Sequence, residues 1–221
     1  MNIGIVLLVA LLSLFALILL VAEKARMDEK KLAVVATLGS LAAIVRIPFA
    51  VLPSVQPSSF LIMLSGYIFG ARAGFLVGAI TPLFSNLFLG QGPWTVWQML
   101  AWGLCGASSG LLGKLRKRGA APLLDRPGRR WLFIVHCTLW GFLYGWIMNL
   151  WIYTGMGALA NFRTFIGLYV SSLPFDAAHA LGNFFFSALF AQNTARILAR
   201  YHRRLVIARF PAWKGGADGE K

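Results

Sequence analysis

Three polar side chains share one apolar stretch near the carboxyl end of the sequence. In PFDAAHALGNFFFSALFAQNTARILAR (residues 174–200), Asp176, His179 and Asn183 stand at i, i+3 and i+7. At about 100° per residue they fall within roughly 60° of one another on a helix, so an acid, an imidazole and an amide line one stripe. Such a set suits ligand binding or proton handling. Plainer readings stand beside it: Asp176 caps a helix opening at Pro174, accepting from the free N–H groups of the first turn, and Asn183 makes an interhelical hydrogen bond. A second set follows the turn Gly90-Gln91-Gly92-Pro93, where Trp94, Trp97, Gln98 and Trp102 recur at i, i+3, i+4 and i+8. Trp94 alone suits an interfacial aromatic belt. Trp102, two turns further in, lines a pocket or packs a helix seam. Gln56, Gln91, Asn86 and Asn149 complete the candidate ligand-binding residues.

What must position these groups follows from composition. Of 221 residues, 58% are hydrophobic and only 13% charged, with a mean hydropathy of +0.71, the balance of a polytopic helical membrane protein forming one domain in lipid. In that solvent an ionisable group costs a few kcal/mol and is a functional candidate by default. The net charge of +14 would suggest nucleic acid in a soluble chain. Here the basic residues cluster between apolar segments, so the positive-inside rule accounts for them and nucleic-acid binding is not expected. Cys105 and Cys137 lie within apolar runs and form neither a disulfide framework nor a zinc pattern.

In chain order, residues 3–22 form an uninterrupted apolar run that would be about 30 Å long as a helix. With no positive region before it and no small-x-small site after it, a retained helix is expected rather than a cleaved signal. A second span runs from Leu32 to Phe49, stopped by Pro48 and Pro53. A charge-free loop, Pro53 to Ser59, leads to a short apolar helix from Phe60 to Phe69. The next helix, Ala73 to Leu89, is expected to break at Thr81-Pro82, with Ser85 and Asn86 toward its far end. After the tryptophan helix, Gly103, Gly106, Gly110 and Gly113 offer close-approach surface. A basic loop, Lys114 to Arg130, precedes a span from Trp131 to Tyr153, and a loop with Arg163 leads to the helix from Pro174. Of 21 Lys and Arg, all but Arg46 and Arg163 fall on one side of this alternation, which predicts seven spans with the amino terminus outside and the carboxyl terminus in the cytoplasm.

The ordered set FGARAGFLVGA, GQGPWTVWQML and PFDAAHALGN, with the proline loop before it, resembles the substrate-binding S component of an energy-coupling factor (ECF) vitamin transporter over about residues 30–200. The resemblance implies an all-α membrane bundle with a six-helix core, residues 32–200. Residues 1–31 would be an added transmembrane helix with its basic linker, and 201–221 a basic cytoplasmic tail. It also implies a vitamin held near the outer face of a prokaryotic plasma membrane by Gln56, Asn86, Gln91, Trp94, Trp97, Gln98, Trp102, Asn149, Asp176, His179 and Asn183. The vitamin is the substrate, and no covalent cofactor or metal is implied. Eight tryptophans and few acids suit a large, flat, mostly uncharged ligand, and the resemblance, through the GQGPW turn, implies a corrinoid such as cobalamin as the leading expectation. Riboflavin, thiamine and a queuosine precursor stand behind it. The chain has no GxxxxGK[ST] loop, so energy must come from partners: two cytoplasmic ATPases and a membrane coupling subunit against which the S component topples. The coupling contact would use small residues at four-residue spacing, Ala36 with Ser40 or Gly39 with Ala43, though small-xxx-small also serves internal packing.

Two other classes compete. An intramembrane hydrolase would use His136 or His179, but neither GxSxG nor HExxH occurs, so the chain is not expected to be an enzyme. An ion-coupled transporter would want charges along a path or inverted repeats. Only Asp176, Arg46 and Arg163 stand near the spans, and no repeat is evident.

Overall fold

The computed structural model describes residues 29–115 and 124–207, together with Ala16. The described residues form a bundle of six helices: α1 (Glu29–Phe49), α2 (Pro57–Phe69), α3 (Ala71–Leu89), α4 (Trp94–Lys114), α5 (Pro127–Gly155) and α6 (Phe162–Ile207), with a 3-10 turn at Gly157–Leu159 before α6. Three of them, α1, α3 and α5, are long and apolar enough to cross a membrane, and α2 is a shorter apolar helix. The expected helix at residues 3–22, the middle of the basic loop (116–123) and the tail beyond Ile207 lie outside the described residues.

Glycines set the spacing of the first four helices. Gly74 of α3 and Gly106 of α4 meet backbone to backbone, and Gly66 of α2 lies against the same Gly106 carbonyl. A Cβ at any of the three would collide with main chain, so α2, α3 and α4 approach as closely as small residues permit. Gly78 faces the backbone of Trp102, which fixes the depth of that indole. The turns between these helices also depend on glycine. Gly70 and Gly90 have φ of +97° and +104°, and their N–H groups close the preceding helices onto the Gly66 and Asn86 carbonyls. Val34, Val35, Leu38 and Ala42 of α1 join the core that α2, α3 and α4 share.

Helices α5 and α6 form an antiparallel pair. Gly141 lies on the Ala180 backbone and Gly145 on the Asp176 carboxylate. Asp125, just before α5, ties the linker to the far end of α6 through a 2.8 Å ion pair with Arg196. Hydrogen bonds from Gln192 and Arg196 hold the exposed Asp125 carboxyl below the usual carboxylate range.

Three local expectations are corrected. The helix over 174–200 does not begin at Pro174. It runs unbroken from Phe162, so Asp176 is in a helix interior and caps nothing. A lone proline fits either a first helical position or an interior one, and the apolar segment before it continues the helix. Helix α3 likewise passes through Thr81-Pro82 without a break, while Thr81 Oγ1 donates to the Val77 carbonyl at 2.7 Å. The loop expected over Pro53 to Ser59 ends at Gln56, because Pro57, Ser58 and Ser59 form the first turn of α2.

Candidate ligand-binding site

A polar cluster lies where the carboxyl ends of α1 and α3 meet the amino ends of α2 and α4. At its centre is Arg46, 8% exposed. Its Nε donates to Gln56 Oε1 at 3.1 Å, and its Nη1 to Ser85 Oγ at 2.7 Å and Asn86 Oδ1 at 2.6 Å. Asn86 passes the chain on: its Nδ2 donates to Gln98 Oε1 at 2.7 Å and to Thr95 Oγ1 at 2.9 Å. Thr95 Oγ1 in turn donates to Gln91 Oε1 at 3.0 Å.

Trp102 joins this cluster to α5 and α6. The Arg46 guanidinium carbon lies 4.8 Å from the centroid of the fully buried indole. The Trp102 Nε1 donates to Ser59 Oγ at 2.9 Å, and Ser59 shares a 2.7 Å hydrogen bond with His179 Nε2. Tyr144 of α5 completes the contact, 4.9 Å from the Trp102 ring and 5.0 Å, edge-on, from His179. Helices α1, α2, α3, α4, α5 and α6 thus all contribute to one connected set of polar and aromatic groups.

Of the residues expected to bind ligand, Gln56, Asn86, Gln98, Trp102 and His179 come together here, with Gln91 at the exposed edge, where its Nε2 also holds the Leu83 carbonyl. The others lie apart. Trp94 is exposed, with its ring over Gly92. Trp97 is buried against Trp151, ring centroids 6.3 Å apart, and Leu100. Asn149 donates to Ser172 Oγ at 2.7 Å, and Ser172 lies 3.0 Å from Asp176 Oδ2, a separate α5–α6 contact. Asn183 Nδ2 donates to the Cys137 carbonyl at 3.1 Å, while its buried Oδ1 has no partner among the described residues. Asp176, His179 and Asn183 share a stripe but meet different neighbours: the acid and the amide face α5, and the imidazole bonds to Ser59 of α2 while packing on Tyr144 of α5.

Sequence reasoning missed Arg46, Ser59, Ser85, Thr95 and Tyr144 as site residues. The usable signal is Arg46 itself, an arginine within an apolar span, where an ionisable group is a functional candidate by default. The small-residue pairs also separate. Gly39 and Ala43 are buried in the bundle, Gly39 against Ile80, whereas Ala36 is exposed and Ser40 half-buried. Of the four residues expected at a coupling contact, Gly39 and Ala43 thus face the bundle, and Ala36 and Ser40 keep accessible surface.

Residues 30–198 match the family model described as the substrate-specific component of the ECF transporter. No curated protein and no solved structure matches the chain.

Proposed function

Because the chain belongs to the family of substrate-specific components of ECF transporters, we propose that it captures a vitamin-class molecule at the Arg46–Trp102 cluster and delivers it inward with a coupling subunit and two ATPases. It is a membrane protein of a binding family rather than an enzyme family. The observation that carries the site assignment is the buried polar chain Gln56–Arg46–Asn86–Gln98 beside Trp102 and His179. Apolar helices gather so many hydrogen-bonding groups at one level only at a cost of several kcal/mol per unmet group, and ligand binding is the use that offsets it.

The cluster sits at the end of the bundle away from Lys114, Arg130 and Arg196. By the positive-inside rule that end faces out, and the basic end and carboxyl terminus face the cytoplasm. The loop between α1 and α2, which supplies Gln56, covers the site from outside. Toppling against the coupling subunit carries the ligand across, with Ala36 and Ser40 at the contact. The ligand panel includes cobalamin, riboflavin, thiamine and queuosine precursors.

A hydrolase is the second reading that the geometry raises, since Ser59 and His179 are hydrogen-bonded. It is the weaker one: Ser59 Oγ also accepts from Trp102, and Asp176, one turn from His179 on the same helix, lies against Ser172 rather than the imidazole. Calorimetry of the purified chain against a vitamin panel tests the proposal. One vitamin should bind, and Trp102→Ala should weaken it about tenfold or more through lost stacking and the lost donor to Ser59. Equal affinity in a folded Trp102→Ala would move the site elsewhere.

A further inference from the structure

Arg46 is charged, nine-tenths buried and without a counter-ion among the described residues. The described carboxylates are Glu29, Asp125 and Asp176. Glu29 opens α1 at the opposite end of the bundle, Asp125 pairs with Arg196, and Asp176 lies against Ser172. Among the described residues the guanidinium donates to neutral acceptors, Gln56, Ser85 and Asn86, and lies over the Trp102 face, with Tyr144 and His179 close enough to feel its charge. Its Nη2 donates to none of the described residues. Nε and Nη2 form the edge of an arginine that pairs side-on with two oxygens of a planar anion, and here one prong is held by an amide and the other is unused.

The residue holding that prong is the one best placed to leave it. Gln56 is half-buried at the end of the loop between α1 and α2, whereas Ser85 and Asn86 are buried on α3. The same loop carries Ser54 at φ +59°, the one non-glycine residue with positive φ among the described residues. That conformation disfavours L side chains, so rearrangement of the loop is opposed less than rearrangement of a helix.

Resting on the reading of this site as the vitamin site, we infer that the transported molecule carries an anionic group, of carboxylate type, which pairs with Arg46 Nε and Nη2 in place of the Gln56 amide oxygen. This narrows the ligand to an acidic vitamin-class compound. It also gives Gln56 a definite role: it competes with the ligand for Arg46 and holds the cation in its absence.

The test is calorimetry of the purified full chain with matched acid and neutral partners: nicotinate and nicotinamide, pantothenate and pantothenol, biotin and its methyl ester. Riboflavin, thiamine and cyanocobalamin complete the panel. The tightest binder should be an acid, favoured about tenfold or more over its neutral partner, because a charge-assisted pair is about twice as strong as a neutral hydrogen bond. Arg46→Gln should shrink that preference to about twofold, Arg46→Lys should keep part of it, and Gln56→Ala, which removes the competing acceptor, should tighten acid binding. Tightest binding by an uncharged or cationic member, or unchanged acid affinity in Arg46→Gln, overturns the anion inference and leaves the vitamin-binding reading standing. Binding of no member overturns both. Should Arg46→Gln fail to fold, the acid-to-neutral ratio in the unsubstituted chain decides alone.

Discussion

Arg46 and Trp102, on α1 and α4, meet with the guanidinium carbon 4.8 Å from the indole centroid, and the indole N–H is spent on Ser59. The ring therefore does two separate jobs, offering a π face to a cation and a donor to a serine. A desolvated cation–π contact contributes about 2 kcal/mol and a buried neutral hydrogen bond about 1 kcal/mol. Trp102→Phe keeps a weaker face and loses the donor, so thermal unfolding in detergent should show a loss of about 1–2 kcal/mol. Trp102→Ala also opens a cavity beside Tyr144 and should cost about 3–5 kcal/mol. Equal losses in the two variants would mean that the contact with Arg46 contributes nothing.

The glycine seam makes a sharper demand. Gly106 touches main chain of both α2 and α3, where no side chain can move aside, so Gly106→Ala must push helices apart. We expect a clear drop in thermal stability, on the order of 2 kcal/mol or more, from overpacking alone. Gly128→Ala, at a position with open space around it, is the control and should change little. An unaltered melting temperature for Gly106→Ala would contradict the packing described.

On α1, bulk at the outer small residues should separate binding from transport. Ala36→Trp and Ser40→Trp project away from the bundle and should leave ligand affinity within about twofold while abolishing uptake that depends on the coupling subunit. Gly39→Trp is the contrasting case: a Cβ there stands 3.0 Å from Ile80 Cγ2, so the variant should fail to fold rather than uncouple. Normal uptake by folded Ala36→Trp and Ser40→Trp would put the contact elsewhere.

Orientation can be read by cysteine labelling, since the native Cys105 and Cys137 are both buried. Phe162→Cys and Leu115→Cys place exposed thiols at opposite ends of the bundle. With an impermeant maleimide on intact cells, Phe162→Cys should label, and Leu115→Cys only after lysis. The reverse pattern would invert the topology.

Much of the fold was legible because lipid leaves helices as the means of satisfying backbone groups in these apolar runs, and because prolines, glycines and basic loops mark their ends. The α2–α3 turn at Gly70 and the α3–α4 turn at Gly90 fell where the sequence placed them. Pro174 misled, since a proline fixes φ without saying whether a helix starts or continues there. The site was only partly legible for a different reason. Periodicity shows that Asp176, His179 and Asn183 lie on one stripe, yet it cannot say which neighbour each meets, and they divide between α2 and α5. Arg46 is bound to groups far along the chain, Ser85, Asn86 and Trp102, and no local spacing announces such a cluster.

On the proposed function, this chain binds its vitamin alone and moves it only with partners. The direct measurement is uptake of the radiolabelled vitamin into proteoliposomes holding the chain with or without the coupling subunit and its two ATPases. Accumulation should require ATP and the full assembly, with the chain alone binding ligand but passing none. Vitamin flux or substrate turnover by the chain alone would contradict it.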